Sequence, residues 1–200
     1  MNEEKMQDLS IKALKAGDRQ EFARLVEEYS SPVYRLGLRM LGREQDAEDV
    51  LQNTFIKVMQ NITGFEERSS LSTWIYRIAA NEALMMLRKL RPEVSLDDQG
   101  AEEDEGYTPV QLVDWSPLPE ADLMADESRR YLERAIGNLP EALRVVFILR
   151  DIEGLSIKET SEALNLSETN VKTRLLRARL NLREQLSVYY GEHFPKELKK

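Results

Sequence analysis

Along residues 44–62 one stripe recurs at three- and four-residue spacing: Ala47, Val50, Leu51, Thr54, Phe55, Val58, Met59 and Ile62. That period predicts an amphipathic α-helix. Phe22, Leu25, Val26 and Tyr29 make a similar stripe, and Pro32 is expected to open a further helix ending near Gly42. Ser69 or Ser70 can cap a helix over 71–90. Strand-like alternation and hairpin signals are absent. The N-terminal part therefore reads as a four- or five-helix bundle. Further on, the pattern predicts helices near 121–137, 140–152, 156–164 and 168–187. Pro140 suits a first helical turn and Gly154 a stop. Ser156 to Glu159, "SIKE", has the form of a capping box. The expected fold is all-α, with two small helical domains.

Between them the periodicity fails. Residues 93–127 hold Pro109, Pro117, Pro119, Gly100 and Gly106, and they read as an acidic flexible linker. This divides the chain into 1–92, the linker 93–127, 128–188, and a tail 189–200. The charge follows the same division. Residues 1–92 are balanced, with 14 bases and 14 acids, and 93–127 carry 12 acids and no base. Residues 128–200 carry 14 bases and 10 acids. The net charge of -8 thus conceals a mildly positive C-terminal domain.

Within that domain, "LSIKETSEALNLSETNVKTRLLRAR" reads as helix, short turn, helix, the second capped by Ser167. Val171, Leu175, Ala178 and Leu182 share one face. The opposite face collects Thr169, Lys172, Thr173, Leu176, Arg177 and Leu180, flanked by Arg174, Arg179 and Arg183. One face suits a core. The other offers hydroxyls, guanidinium forks and a methyl-bearing side chain, the mixture that reads base edges while neutralising phosphates. A helix-turn-helix sets its second helix in the major groove in this way.

Other chemistries find little support. The chain has no cysteine, which excludes disulfides, thiolate zinc sites and cysteine nucleophiles. The single His193 lies near the C-terminus, and there is no glycine-rich phosphate loop. No apolar run approaches the ~20 residues of a membrane span. The acidic, polar start "MNEEKMQDLS" is unlike a secretory signal. The sequence thus predicts a cytoplasmic protein that is no enzyme and needs neither metal nor other cofactor.

From about residue 10 to 187 the chain resembles a bacterial sigma factor of the extracytoplasmic-function (ECF) type, a small member of the sigma-70 family. "EFARLVEEYSSPVYRLGLRMLG", "REQDAEDVLQNTFIKVMQNI" and "GFEERSSLSTWIYRIAANEALMMLRK" look like successive parts of conserved region 2. "AIGNLPEALRVVFILRDIEGLSIKETSEALNLSETNVKTRLLRARLNLREQL" looks like region 4. The resemblance implies a transcription initiation factor that binds core RNA polymerase and directs it to promoter DNA. It assigns reading of the -35 duplex to Lys172, Thr173, Arg174, Leu176, Arg177 and Arg179. It assigns the melted -10 element to Phe65, Trp74, Tyr76, Arg77, Ile78, Ala79, Ala80 and Asn81. Extruding a base costs a few kcal/mol, which stacking and edge hydrogen bonds can offset.

The same resemblance gives Asp46, Glu48, Asp49, Gln52 and Asn53, with Lys57, a place on the surface that docks on the β′ clamp coiled coil, and adds the β flap as a second polymerase contact. It implies an anti-sigma partner, with no membrane insertion of this chain. Several residues depart from the family pattern. Asn53 stands where an acid is common, which implies a weaker salt bridge to polymerase, and Met85 stands where a polar residue is common. Thr160 and Ser161 replace an apolar residue and Ala, which implies looser packing of the first helix-turn-helix helix. The linker, 35 residues long, can extend on the order of 100 Å and separate two DNA-reading domains. Its charge suits a basic polymerase channel and discourages DNA binding by the unaccompanied chain. A rival reading is a helix-turn-helix regulator that works without polymerase, its N-terminal helices serving dimerisation.

Overall fold

The structure, a computed structural model, describes residues 9–90 and 122–193, without the side chains of 122–128 and 188–193. The acidic segment as far as residue 121 lies outside the described residues, as does the tail beyond His193. Among the described residues the regular structure is helical throughout.

Helix α1, Ile11–Lys15, starts on Ser10, whose hydroxyl accepts from Ala13 N. Asp18 caps α2, Arg19–Leu41, by accepting from Gln20 N and Glu21 N. This helix ends at Gly42, whose φ of +73° suits the left-handed residue that closes a helix. Pro32 opens no new helix, against the sequence-based expectation; it lies inside α2. An interior proline forfeits a backbone hydrogen bond, typically at about 3 kcal/mol. Here Leu25, Val33, Leu36 and Met40 keep one helical register through the proline, and all four are buried. Burial worth ~1.5–3 kcal/mol per large side chain outweighs the lost bond.

Helix α3, Glu44–Asn61, crosses α2 at Gly37, where an added Cβ would meet the Ala47 Cα at 3.1 Å. A 3₁₀ turn, Ile62–Gly64, leads towards α4, Leu71–Leu90. Ser70 caps α4, its hydroxyl accepting from Thr73 N at 3.1 Å. Helices α2, α3 and α4 pack pairwise, so the N-terminal body is a bundle of these three with α1 across one end.

The second body begins with α5, Asp122–Gly137, whose first turns fall inside the stretch read as linker. Helix α6, Glu141–Phe147, follows Pro140 and passes into a π-helical turn, Ile148–Ile152. The expected helix over 140–152 is therefore wound in two ways. Gly154, φ +77°, then reverses the chain. Ser156 and Glu159 form the expected reciprocal capping box on α7, Ile157–Leu164, and Asn165 closes it in the left-handed region. Thr160 is fully buried, and its hydroxyl returns to Ser156 O at 2.8 Å, so its polar atom costs the packing little. Ser167 accepts from Asn170 N at 3.1 Å and caps α8, Glu168–His193.

The two bodies pack on each other. α4 lies against α7, and α2 against α5 and α6. One apolar cluster runs from Leu14 to Leu182 without a break between them. The buried Arg144 of α6 reinforces the join: it donates to Leu139 O, to Gly137 O and, across the seam, to Met40 O at 2.6 Å.

Candidate nucleic-acid interface

On α8, Val171, Leu175, Ala178 and Leu182 are buried, as their spacing requires. Lys172 and Arg177 are exposed, and Thr173, Arg174 and Leu176 are half-buried beside them. Lys172 lies 4.0 Å from Glu168, one turn away, an exposed pairing that yields readily to a phosphate. Arg179 differs from the others. Its guanidinium grips Asp151 of the π-helical turn with two bonds, at 2.8 and 2.7 Å. This bidentate bond raises the Arg179 pKa above its ordinary value, and it pins the middle of α8 to that turn.

The eight residues assigned to the -10 element do not form one surface. At 100° per residue, Trp74, Arg77, Ile78 and Asn81 share an outer stripe of α4, continued by Met85 and Arg88. Asn81, Met85 and Arg88 are exposed; Trp74, Arg77 and Ile78 are half-buried. Ala79 and Ala80 point the other way, fully buried, and fix how closely α4 packs. Phe65 is buried too, its ring centroid 5.1 Å from that of Trp74 and the Lys15 ammonium 6.0 Å above it. Tyr76 faces the second body and donates its hydroxyl to Glu153 Oε2 at 2.7 Å. Burial, then that carboxylate, raises the Tyr76 pKa, and burial likewise pushes the neighbouring Tyr29 up to about 12.

On α3, Glu48, Asp49, Gln52 and Asn53 are exposed along one side. Asp46 is partly withdrawn beside Arg43, 3.6 Å away. Lys57 stays partly exposed and is paired with the buried Glu82 of α4. An apolar component accompanies the polar side, which the sequence reading missed. Met59, expected in the core stripe, is 57% exposed, and Ile56 is 47% exposed. With Phe22, Gln52 and Phe55 they line a groove of ≈ 260 Å³ between α2 and α3. The signal was present: positions 52, 56 and 59 lie one above another, and an isoleucine on an otherwise polar helix side is unusual.

Among the described residues no cluster of acidic or His side chains suits a metal ion, and no helix is long and apolar enough to cross a membrane. The geometry offers a basic exposed face on α8, an outer stripe of aromatic, apolar, basic and amide side chains on α4, and a mixed polar–apolar face on α3.

The sequence matches the family model for sigma-70 region 2 over residues 25–93 and that for sigma-70 region 4 over 129–182. It is 40% identical over 177 residues to the ECF RNA polymerase sigma factor SigW of Bacillus subtilis, covering 88% of this chain and 94% of that one. It is 34% identical to the ECF RNA polymerase sigma-E factor of Haemophilus influenzae, covering 84% and 89%. Two solved structures share the fold. CnrH in complex with the cytosolic domain of CnrY gives a TM-score of 0.63 at 21% identity, covering 89% of this chain and 95% of that one. RpoE in complex with the anti-sigma factor NepR, from Bartonella quintana, gives 0.62 at 24%, covering 84% and 98%. Two helical bodies, matched in order by the two region models and joined over nearly the full length of such relatives, leave one assignment: the chain belongs to the sigma-70 family, in its extracytoplasmic-function group.

Proposed function

We propose that this chain binds core RNA polymerase and selects promoters, α8 reading the -35 duplex while the outer stripe of α4 holds the parted strand at -10. The observation that carries this reading is the presence of both family regions, in order, on separate helical bodies of one chain. The exposed Lys172 and Arg177, with Thr173, Arg174 and Leu176 beside them, suit base edges and phosphates in a major groove. Arg179 is better placed to orient α8 than to read a base, since Asp151 already occupies its fork. Trp74, Arg77, Ile78 and Asn81 supply a stacking surface and an amide beside it, with Phe65 behind Trp74. Glu48, Asp49, Gln52 and Asn53, together with Ile56 and Met59, form the docking face for polymerase.

In this scheme bond formation and any metal belong to polymerase, and the chain acts in the cytoplasm. An anti-sigma partner, as NepR is to RpoE in the solved complex, belongs to the same reading. A regulator independent of polymerase has no use for a region 2. Run-off transcription with purified core polymerase over a genomic promoter library tests the proposal. It predicts a stoichiometric complex and discrete start sites that appear only when the chain is added. Failure to join the core, or initiation without start-site choice, contradicts it.

A further inference from the structure

Helices α3 and α4 carry opposite charge, and each holds one exception. On α3 the acids are Glu44, Asp46, Glu48 and Asp49, and Lys57 is the only base. On α4 the bases are Arg77, Arg88 and Lys89, and Glu82 is the only acid. The two exceptions meet. The Lys57 ammonium donates to Glu82 Oε1 across the contact between the helices. The Glu82 side chain is 7% exposed and that of Lys57 43%. At 100° per residue Glu82 follows Asn81 and stands one turn beyond Ile78, on the border of the outer stripe. Lys57 stands one turn beyond Asn53 and next to Ile56, on the border of the docking face. Net stability does not account for the pair, because a buried ion pair repays little more than its own desolvation and apolar residues of similar volume pack as well.

We infer that Lys57 and Glu82 are a positioning pair that keeps charge of the wrong sign off both working faces. The inference rests on the function proposed above and deepens it. A nucleic-acid strand carries a negative phosphate at every step, so an uncancelled carboxylate beside Asn81 repels the strand that the stripe must hold. An acidic docking face suits a basic surface of polymerase, so an uncommitted ammonium beside Asn53 repels that partner. Each side chain ties the other down at the boundary of the two faces and cancels its charge there.

The test uses the full-length chain with core polymerase on promoters recovered by run-off selection. Association is titrated, and opening is read as permanganate reactivity of -10 thymines once the chain saturates polymerase. Lys57→Met strands the carboxylate and should lower that reactivity about tenfold at ~0.05 M salt. The deficit relative to the unsubstituted chain should shrink towards ~0.3 M, because salt screens like-charge repulsion. Glu82→Gln frees the ammonium and should instead lower polymerase affinity, by about fivefold. The double variant carries neither charge and should return to within about twofold of the unsubstituted chain on both readouts. The same defect from both single variants, no defect from either, or a double variant no better than the singles marks a pair that only packs two helices, and overturns the inference. If Lys57→Met loses helicity, Lys57→Gln takes its place with the same expected outcome. An unsubstituted chain that neither joins polymerase nor opens a promoter contradicts the proposed function itself, and those samples are read first.

Discussion

In the proposed scheme single side chains divide the labour. Lys172 and Arg177 stand on the exposed side of a helix whose other side is core. Replacing either with alanine should weaken use of duplex -35 DNA by ~1–3 kcal/mol where a base contact is lost, measured by competition binding of the polymerase complex. Asn81→Ala should instead impair strand opening or -10 choice and leave -35 affinity intact; identical defects from the two sites contradict the division. What the sequence disclosed at this scale was local. Ser156 with Glu159, and Ser167 ahead of α8, act on backbone groups three residues away. Glu153 and Arg144 escaped notice because their partners, Tyr76 and Met40, lie 77 and 104 residues distant. Periodicity reports which side of a helix is buried, and it cannot name what that side meets. Arg179 shows the same limit, since its spacing suits DNA while its guanidinium is held by Asp151.

Elements follow from competition between local and tertiary terms. Pro32 was read as a helix start because its ring favours that place. It sits in mid-helix because the residues on both sides of it bury one continuous face. The π-helical turn had no signature in the period of its apolar residues. On α3 the stripe was legible, but its edge was misjudged at Met59, which opens to the groove. Ile56→Asp or Met59→Asp should therefore leave thermal stability nearly unchanged and lower polymerase affinity at least tenfold by titration. A destabilised protein with unchanged affinity would return these side chains to the core. The capping box of α7 gives a pH test. Hydrogen bonds from Ser156 hold the Glu159 carboxyl below its ordinary range. A depressed carboxyl stabilises the fold above the unfolded-state pKa of about 4.3 and ceases to do so as pH falls through the lower folded value. Glu159→Ala should lower Tm by about 2–4 °C at neutral pH, the effect of losing one cap, and the deficit should vanish in acid.

At the scale of the molecule, two helical bodies and their family were legible because each carries its own period, caps and charge. Their packing against each other was not, since an acidic, proline-bearing segment of that length permits either separation or contact. The account's central claim is that one chain presents one body to paired DNA and the other to a parted strand, both on the same polymerase. The direct measurement is footprinting of core polymerase, with and without the chain, on promoters recovered by run-off selection, combining nuclease protection with permanganate reactivity of thymines. The account predicts protection at -35 together with reactive thymines at -10, both dependent on the chain, with the -35 protection weakened in Arg177→Ala and the reactivity weakened in Asn81→Ala. Protection confined to one element, or a pattern unchanged by adding the chain, would contradict it.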